Sequence, residues 1–433
     1  MALARPDSPD PSAFWDALST SQRGVLLHAA VSAEEEGGKA FLVGGPVRDL
    51  LRGDVRLRDI DIVTTADARR VAQRFAITAN AAVAKTTDFG TATVRAFDGA
   101  SHASVDFATA RTETYPQPGA LPIVAFPARI GEDLHRRDVT INAMALPITP
   151  HGFGPLLDPT GGLADLRAGV IRVLHDASFR DDPTRLYRAA RYAARFTFTI
   201  EPHTTIEPHT ASLLHAAVVG GALTTISPDR KRHELDLGIR ERDPVACFDA
   251  FDTYGLLRVT SPVLMWDAWV ATRMRRVAPT AWPVWAFFVC RQDDAAIARL
   301  LTDLSVGAMQ QPIRRLIGVW RARDAIANAP RLSALGLFLE KLPESDVLAL
   351  LQGEPSAQCA AAFYARLHHI SRQDRRWGTS FAYRLIEIGV APGPVFGEIL
   401  DALRDARLDG DVETLEEAEA FVRQRLVGPM PAS

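Results

Sequence analysis

Hydrophobic and polar positions follow two different rhythms along the chain, and the change of rhythm predicts its architecture. A helical spacing runs from about Phe14 to Glu36 and ends at Gly37–Gly38. The apolar run KAFLV follows and predicts a strand broken by Gly44–Gly45. Pro46–Arg52 reads as a short helix with Pro46 at its first position, where a missing N–H is tolerated. RDIDIVT (58–64) alternates polar and apolar residues with the period of a strand, and Thr91–Phe97 and Ser104–Arg111 read the same way. After Asp158 the strand rhythm fades. Arg180–Phe196 carries a strong helical pattern, and the remainder reads as helices punctuated by proline and glycine. The pattern predicts an α+β N-terminal head, a mixed sheet with helices, followed by an all-α neck, body and tail. The expected divisions are an arm and the start of the first helix over 1–28, the head over 29–155, the neck over 156–245, and the body and tail over 246–433. Residues 1–13, with Pro6, Pro9 and Pro11 among small polar residues, read as a disordered arm.

Composition narrows the class. A chain of 433 residues is too long for one compact core. Its 47% hydrophobic and 23% charged residues are the balance of a globular protein. The longest uncharged apolar stretch, around Ala281–Cys290, is well short of the roughly 18 residues a membrane helix needs, so no membrane partner is expected. The N-terminus is polar and proline-rich rather than a signal peptide. Cys247, Cys290 and Cys359 fit neither a disulfide framework nor a CxxC metal site, which predicts a cytoplasmic setting and no disulfide-linked partner. A net charge of −3 rules out a uniformly basic surface and leaves room for a restricted basic strip.

Candidate chemistry begins at Asp59 and Asp61. Two apart on a strand, they point to one face while Ile60 and Ile62 anchor the other. Adjacent carboxylates repel, and a divalent cation relieves that repulsion. An exposed strand edge, with the aspartates solvated or paired to Arg56 and Arg58, fits the same two residues. Upstream, LVGGPVRDLLRG sets Gly44–Gly45 before a helix, a turn that can present backbone N–H groups to a phosphate, with Arg48 one turn on. Asp106, in SVDFATAR, is a third carboxylate that an adjacent strand would bring to the metal shell or to a base's position, or that Arg111 or Thr109 would hold as a buried structural group.

These segments resemble the signature of the tRNA nucleotidyltransferases, the CCA-adding enzymes of the bacterial and eukaryotic type, and the related bacterial poly(A) polymerases. Four later stretches agree in order: EDLHRRDVTINAMA (132–145), DPTGGLADLRAGVIRVL (158–174), RDDPTRLYRAARYAARF (180–196) and the neck motif ISPDRKRHEL (226–235). The resemblance covers roughly residues 40–240 and no motif beyond about 250. It implies a head of the DNA polymerase β type in which Asp59 and Asp61 hold Mg²⁺, while Gly44, Gly45 and Arg48 hold a triphosphate. Arg137, with Arg136 beside it, would contact the nucleotide, and Arg188 and Arg191 would belong to the same site. In the family a Glu-Asp-x-x-Arg pattern serves as a protein template for the base. Here it reads Asp181-Asp182-Pro183-Thr184-Arg185, with aspartate in place of the usual glutamate.

A carboxylate at Asp182 accepts from the exocyclic amine of cytosine or adenine, and Arg185 donates to the adjacent ring nitrogen. Uracil and guanine present the opposite polarity there. Asp182 before Pro183 is equally a helix N-cap, and one carboxylate can serve both roles. Arg195 continues the helical face and is as consistent with a solvated surface residue. His175–Asp176 lacks the further ligands of a phosphohydrolase, and His368–His369 reads as helix surface.

The implied reaction is transfer of C or A from CTP or ATP to a tRNA 3′ end, with the helical body holding the acceptor and TΨC arms. The segment between Arg111 and Arg136 is long enough for the flexible loop that CC-only enzymes shorten, so full CCA or A-only addition is the expectation. A poly(A) polymerase would share the head but carry a basic tail, whereas this chain ends VGPMPAS. A catalytically silent RNA-binding protein is disfavoured by the three aspartates.

Overall fold

The alternation in the first third of the chain becomes a sheet. Its strands are β1 (Ala40–Val43), β2 (Ile60–Thr64), β3 (Ala82–Thr87), β4 (Thr91–Arg95) and β5 (Ser104–Thr109), then the short β6 (Thr112–Thr114) and β7 (Ile123–Ala125), then β8 (Ala145–Thr149) and β9 (Gly152–Phe153). Seven of them form one sheet in the order β3-β4-β5-β2-β1-β8-β9, and β6–β7 is a separate antiparallel ribbon. Within the large sheet β2 and β5 run parallel, and the other neighbours are antiparallel. The computed structural model describes residues 10–55, 57, 60–95, 104–196, 205–206, 208–277, 281–377 and 381–427.

The two faces of the sheet have different work. Ile60 and Ile62 are buried as the alternation requires, and Phe107, the register partner of Ile62, lies 5.2 Å ring to ring from Phe75. Phe75 belongs to α4, fourth in a series that starts with α1 (Pro11–Ala17), α2 (Thr20–Glu35) and α3 (Gly45–Leu51), and α4 itself spans Ala68–Thr78. Helices α2 and α4 pack on each other and cover this face. On the opposite face Phe41, Val43, Val63, Ala110 and Ala145 form a second cluster with Leu134 of α5 (Ile130–His135).

Two expectations change. The single helix over Phe14–Glu36 is two helices, and α1 starts at Pro11, inside the stretch expected to be an arm, with Asp10 capping Ser12 N–H. Leu18 is extended, and Ser19 and Gln22 form a reciprocal capping box that restarts the chain as α2. The helical run 180–196 is also divided, into α7 (Ser178–Asp181) and α8 (Thr184–Arg195), with α6 (Gly162–Ala168) before them. Pro183 has no N–H to donate and disfavours helix at the residue before it, so Asp182 turns to φ −132° and ψ 94°. Later come α9 (Pro208–Val219) and α10 (Pro228–Ile239).

The chain divides into two units, Met1–Gly238 with Ala246–Thr260, and Ile239–Val245 with Ser261–Ser433. The described part of the second is helical from Ala268 to Val427. Its core is built on the fully buried Trp285, Phe287 and Phe288, with a separate C-terminal cluster around Leu385, Leu403 and Val422. Arg273 lies over the Trp269 ring at 3.6 Å and donates to the Leu350 and Gln352 carbonyls at 2.7 Å each, closing the end of the helix Glu344–Leu350. Among the described residues no helix is long and apolar enough to cross a membrane.

Candidate active site

Asp61 and Asp106 are register partners on the parallel pair β2–β5, so their carboxyls leave the same face of the sheet on neighbouring strands about 4.8 Å apart. Both are half-buried, and Thr93 on β4 donates its hydroxyl to Asp106 Oδ1. Asp59, with Arg56 and Arg58, lies outside the described residues. Two side-by-side carboxylates on a half-buried face are the oxygen donors a hard divalent cation takes, and the chemistry of the donor set fits one. No group of three or more His, Cys, Asp or Glu side chains able to hold a metal is assembled among the described residues.

At the end of β1 the chain turns through Gly44, whose φ of +71° and ψ of −129° suit only glycine. A Cβ there would stand 2.9 Å from Arg137 Nη1, so the guanidinium lies directly over the Gly44 backbone. Arg48 of α3 is 3% exposed and held from several sides. It forks onto Asp49 at 2.9 and 3.0 Å, donates to Asn142 Oδ1 at 2.6 Å, and lies 4.7 Å from the Phe196 ring centroid. Its Nη2 would meet a Cβ on Gly45 at 3.5 Å. The two glycines and the two arginines of the first two motifs therefore converge.

Asn142 joins this loop to α8. Its amide donates to Asp138 at 3.1 and 3.3 Å, and Asp138 also accepts from Arg188 Nε at 2.8 Å. Burial would raise the Asp138 carboxyl, but the Arg188 charge and three sets of donated hydrogen bonds outweigh it and hold the group well below the carboxylate range. Asp133, fully buried, accepts from Arg136 at 2.7 Å and Arg137 at 3.1 Å. There too burial is overcome, chiefly by the Arg137 and Arg136 charges, and the carboxyl is held low. Arg136 also reaches Glu113 at 2.9 Å, which Arg111 and Tyr115 share.

In the fourth motif the N-cap of α8 is Pro183, and Asp182, one residue earlier, supplies the side chain. Asp182 Oδ1 accepts from Thr184 N–H at 3.1 Å and from the Thr184 hydroxyl at 2.7 Å, a cap over the start of α8. Arg230 of α10 donates to the same oxygen at 2.8 Å. Oδ2 accepts no hydrogen bond among the described residues. Arg185, 5% exposed, is fixed by the Ser178 hydroxyl and the Arg136 carbonyl, both at 2.8 Å. Arg188 stays about one-third exposed at 35% of its side chain. Arg191 is buried against Glu234 of α10 at 3.3 Å.

Asp138, Asn142, Glu113 and Arg230 have no counterpart among the residues singled out from the sequence. All were within reach. Asp138 and Asn142 sit inside the second motif and Arg230 inside the neck motif, each an uncompensated polar group at fixed distance from a candidate arginine or aspartate. Glu113 shares its side of the chain with Arg111 and Tyr115 at spacings of two, a local signal, and only Arg136 is brought to it by the fold.

Paired carboxylates on parallel strands beside a glycine turn laid under arginine mark a nucleotidyltransferase head, and comparison with known proteins agrees. Residues 40–172 match the Poly A polymerase head domain. The A-adding tRNA nucleotidyltransferase of Halalkalibacterium halodurans is 34% identical over 89% of this chain and 88% of its own. The CC-adding tRNA nucleotidyltransferase of Deinococcus radiodurans is 30% identical over 97% and 98%. Among solved structures, the apo form II of a CCA-adding enzyme matches with TM-score 0.73 and 26% identity over 96% of this chain and 99% of that one. The Thermotoga maritima CCA-adding enzyme complexed with tRNA matches with TM-score 0.69, also at 26% identity, over 96% of this chain and 99% of that one. The chain belongs to the tRNA nucleotidyltransferase and poly(A) polymerase family, and its activity is nucleotide addition at tRNA 3′ ends. Enzymes of this family use divalent metal ions.

Proposed function

We propose that this enzyme adds the terminal A to tRNA ending in CC, taking it from ATP without a nucleic-acid template. The choice of A rests on the likeness to the A-adding enzyme of Halalkalibacterium halodurans, and the restriction to A and C rests on the division of labour on Asp182. One oxygen is occupied by the cap and by Arg230, and the other, which accepts no hydrogen bond among the described residues, would take an exocyclic amine while the fixed Arg185 guanidinium would donate to the ring. That pair of polarities matches adenine and cytosine and leaves both protein groups unpaired against uracil or guanine. Arg48, Arg137 and the Gly44–Gly45 backbone would hold the triphosphate, Arg136 would act through Asp133 and Glu113 to orient the loop, and Arg188 would face the nucleotide from α8. Arg191 would support α8 from Glu234. Asp61 and Asp106, with Asp59, would position Mg²⁺ and the attacking 3′-hydroxyl, which displaces pyrophosphate from the α-phosphate. Bound there, Mg²⁺ supplies neutralisation of charge developing on the phosphates. The helical second unit would take the acceptor and TΨC arms through shape and phosphate contacts, and the cytoplasm is the setting that substrate implies.

Complete CCA addition is the second reading, favoured by the match to CCA-adding structures along 96% of the chain. Labelled CTP and ATP offered with Mg²⁺ to transcripts ending at the discriminator base, at C and at CC separate the two. A single A on the CC transcript alone is the expected result. CTP use on the first two establishes complete CCA addition, a processive ATP ladder a poly(A) polymerase, and no incorporation anywhere with retained tRNA binding a silent module.

A further inference from the structure

We propose that Arg230 is a positioning residue for base selection, fixing the plane in which the Asp182 carboxyl meets the nucleotide. This rests on the reading that Asp182 and Arg185 select the base. An aspartate reader is loosely aimed, because a terminal sp³–sp² torsion is soft and its carboxyl plane can tilt away from the base. The cap alone does not hold that plane, since both of its donors, the Thr184 N–H and hydroxyl, come from one residue. Arg230 adds a second direction. Its Nη2 donates to Oδ1 at 2.8 Å while its Nη1 donates to the Gly119 carbonyl at 2.9 Å, so the planar fork is anchored at both prongs.

The Gly119 anchor is itself rigid. Gly119 is buried in the turn between β6 and β7 with φ +72°, donates its N–H to the Arg180 carbonyl at 3.2 Å, and packs so closely on Thr225 that a Cβ would stand 2.1 Å from the hydroxyl. Donors from α8 and α10 therefore meet on one oxygen and hold the carboxyl plane, and the other oxygen, in a side chain 22% exposed, accepts no hydrogen bond among the described residues. Arg230 touches no part of a nucleotide in this scheme. It acts on specificity through Asp182.

The test uses the full chain and a CC-ending transcript, with single-turnover kcat/KM measured separately for ATP, CTP, UTP and GTP. Arg230→Ala is expected to lower the preference for ATP over UTP and GTP by at least about tenfold, because a mobile carboxyl no longer penalises the wrong polarity. Arg230→Lys, which keeps charge beside Asp182 but lacks the fork, is expected to recover part of it. Asp182→Ala should lose the preference too, and Arg230→Ala added to Asp182→Ala should change it no further. Preserved discrimination in a folded Arg230→Ala, with discrimination lost in Asp182→Ala, overturns the positioning role alone. Wild-type discrimination in Asp182→Ala overturns base reading itself. A further loss in the double variant assigns Arg230 to scaffolding and also overturns the proposal. If thermal unfolding shows that Arg230→Ala does not fold, Arg230→Lys decides: discrimination equal to wild type with the fork removed counts against the proposal.

Discussion

Asp61 and Asp106 reach one face of the sheet by simple alternation on two strands, and that much was readable from RDIDIVT and SVDFATAR. What alternation does not encode is register, which places the two opposite each other instead of one pleat apart. Replacing Asp61 with asparagine keeps the shape and removes the charge. The expected result is a loss of roughly a hundredfold to a thousandfold in kcat with little change in the thermal midpoint. Gly44 makes the opposite kind of prediction. Gly44→Ala meets both a left-handed backbone and the Arg137 guanidinium at 2.9 Å, and should destabilise the head by about 1–3 kcal/mol in urea unfolding while raising KM for ATP. The glycine pair was visible in the sequence. The arginine lying over it was not, because Arg137 arrives from α5, far along the chain.

Elements carry their own lesson in α1, α2, α7 and α8, where helical periodicity ran straight through two breaks. At Ser19 a side-chain cap outcompeted a continuous pattern, and at Pro183 a missing N–H did so. Both were local signals that a count of apolar positions overlooks. The joint between α3, α5 and α8 is made instead by buried ions, Asp133 and Asp138 with their arginines, and these should set the acid limit of the head. The folded carboxyls are held below the ordinary value of about 3.9, so as pH falls the unfolded chain binds protons first. Stability is then full above about pH 5 and declines progressively below it, through the lower folded values. Urea midpoints measured between pH 7 and pH 3 should fall with pH, and Asp138→Asn should flatten that fall.

At the scale of the whole molecule the sequence spoke unevenly. Ordered motifs reached only to about residue 240, and the second unit yielded a class, helical, without a chemistry. Trp285 is core and the Trp269–Trp320 pair flanks Arg273, roles hidden in the sequence because partners in a helical body lie far apart along it. A net charge of −3 likewise averages over surfaces of opposite sign. If tRNA is held by a restricted basic strip, log Kd should rise linearly with log salt between 50 and 200 mM, with catalysis on prebound tRNA much less affected.

The parallel pairing of β2 with β5 also fixes an order of assembly. Parallel neighbours need a crossover, and here it comprises α4 and the β3–β4 hairpin, everything from Thr65 to the start of β5. As the chain leaves the ribosome, Asp61 emerges well before the strand that will carry its companion, and the two negative charges are forced together only when the loop closes. Closure of that loop is a slow, long-range step. Competence to transfer a nucleotide therefore waits on a long-range pairing rather than on any local element. A cation bridging both strands would bind only their paired form and so stabilise the closed loop.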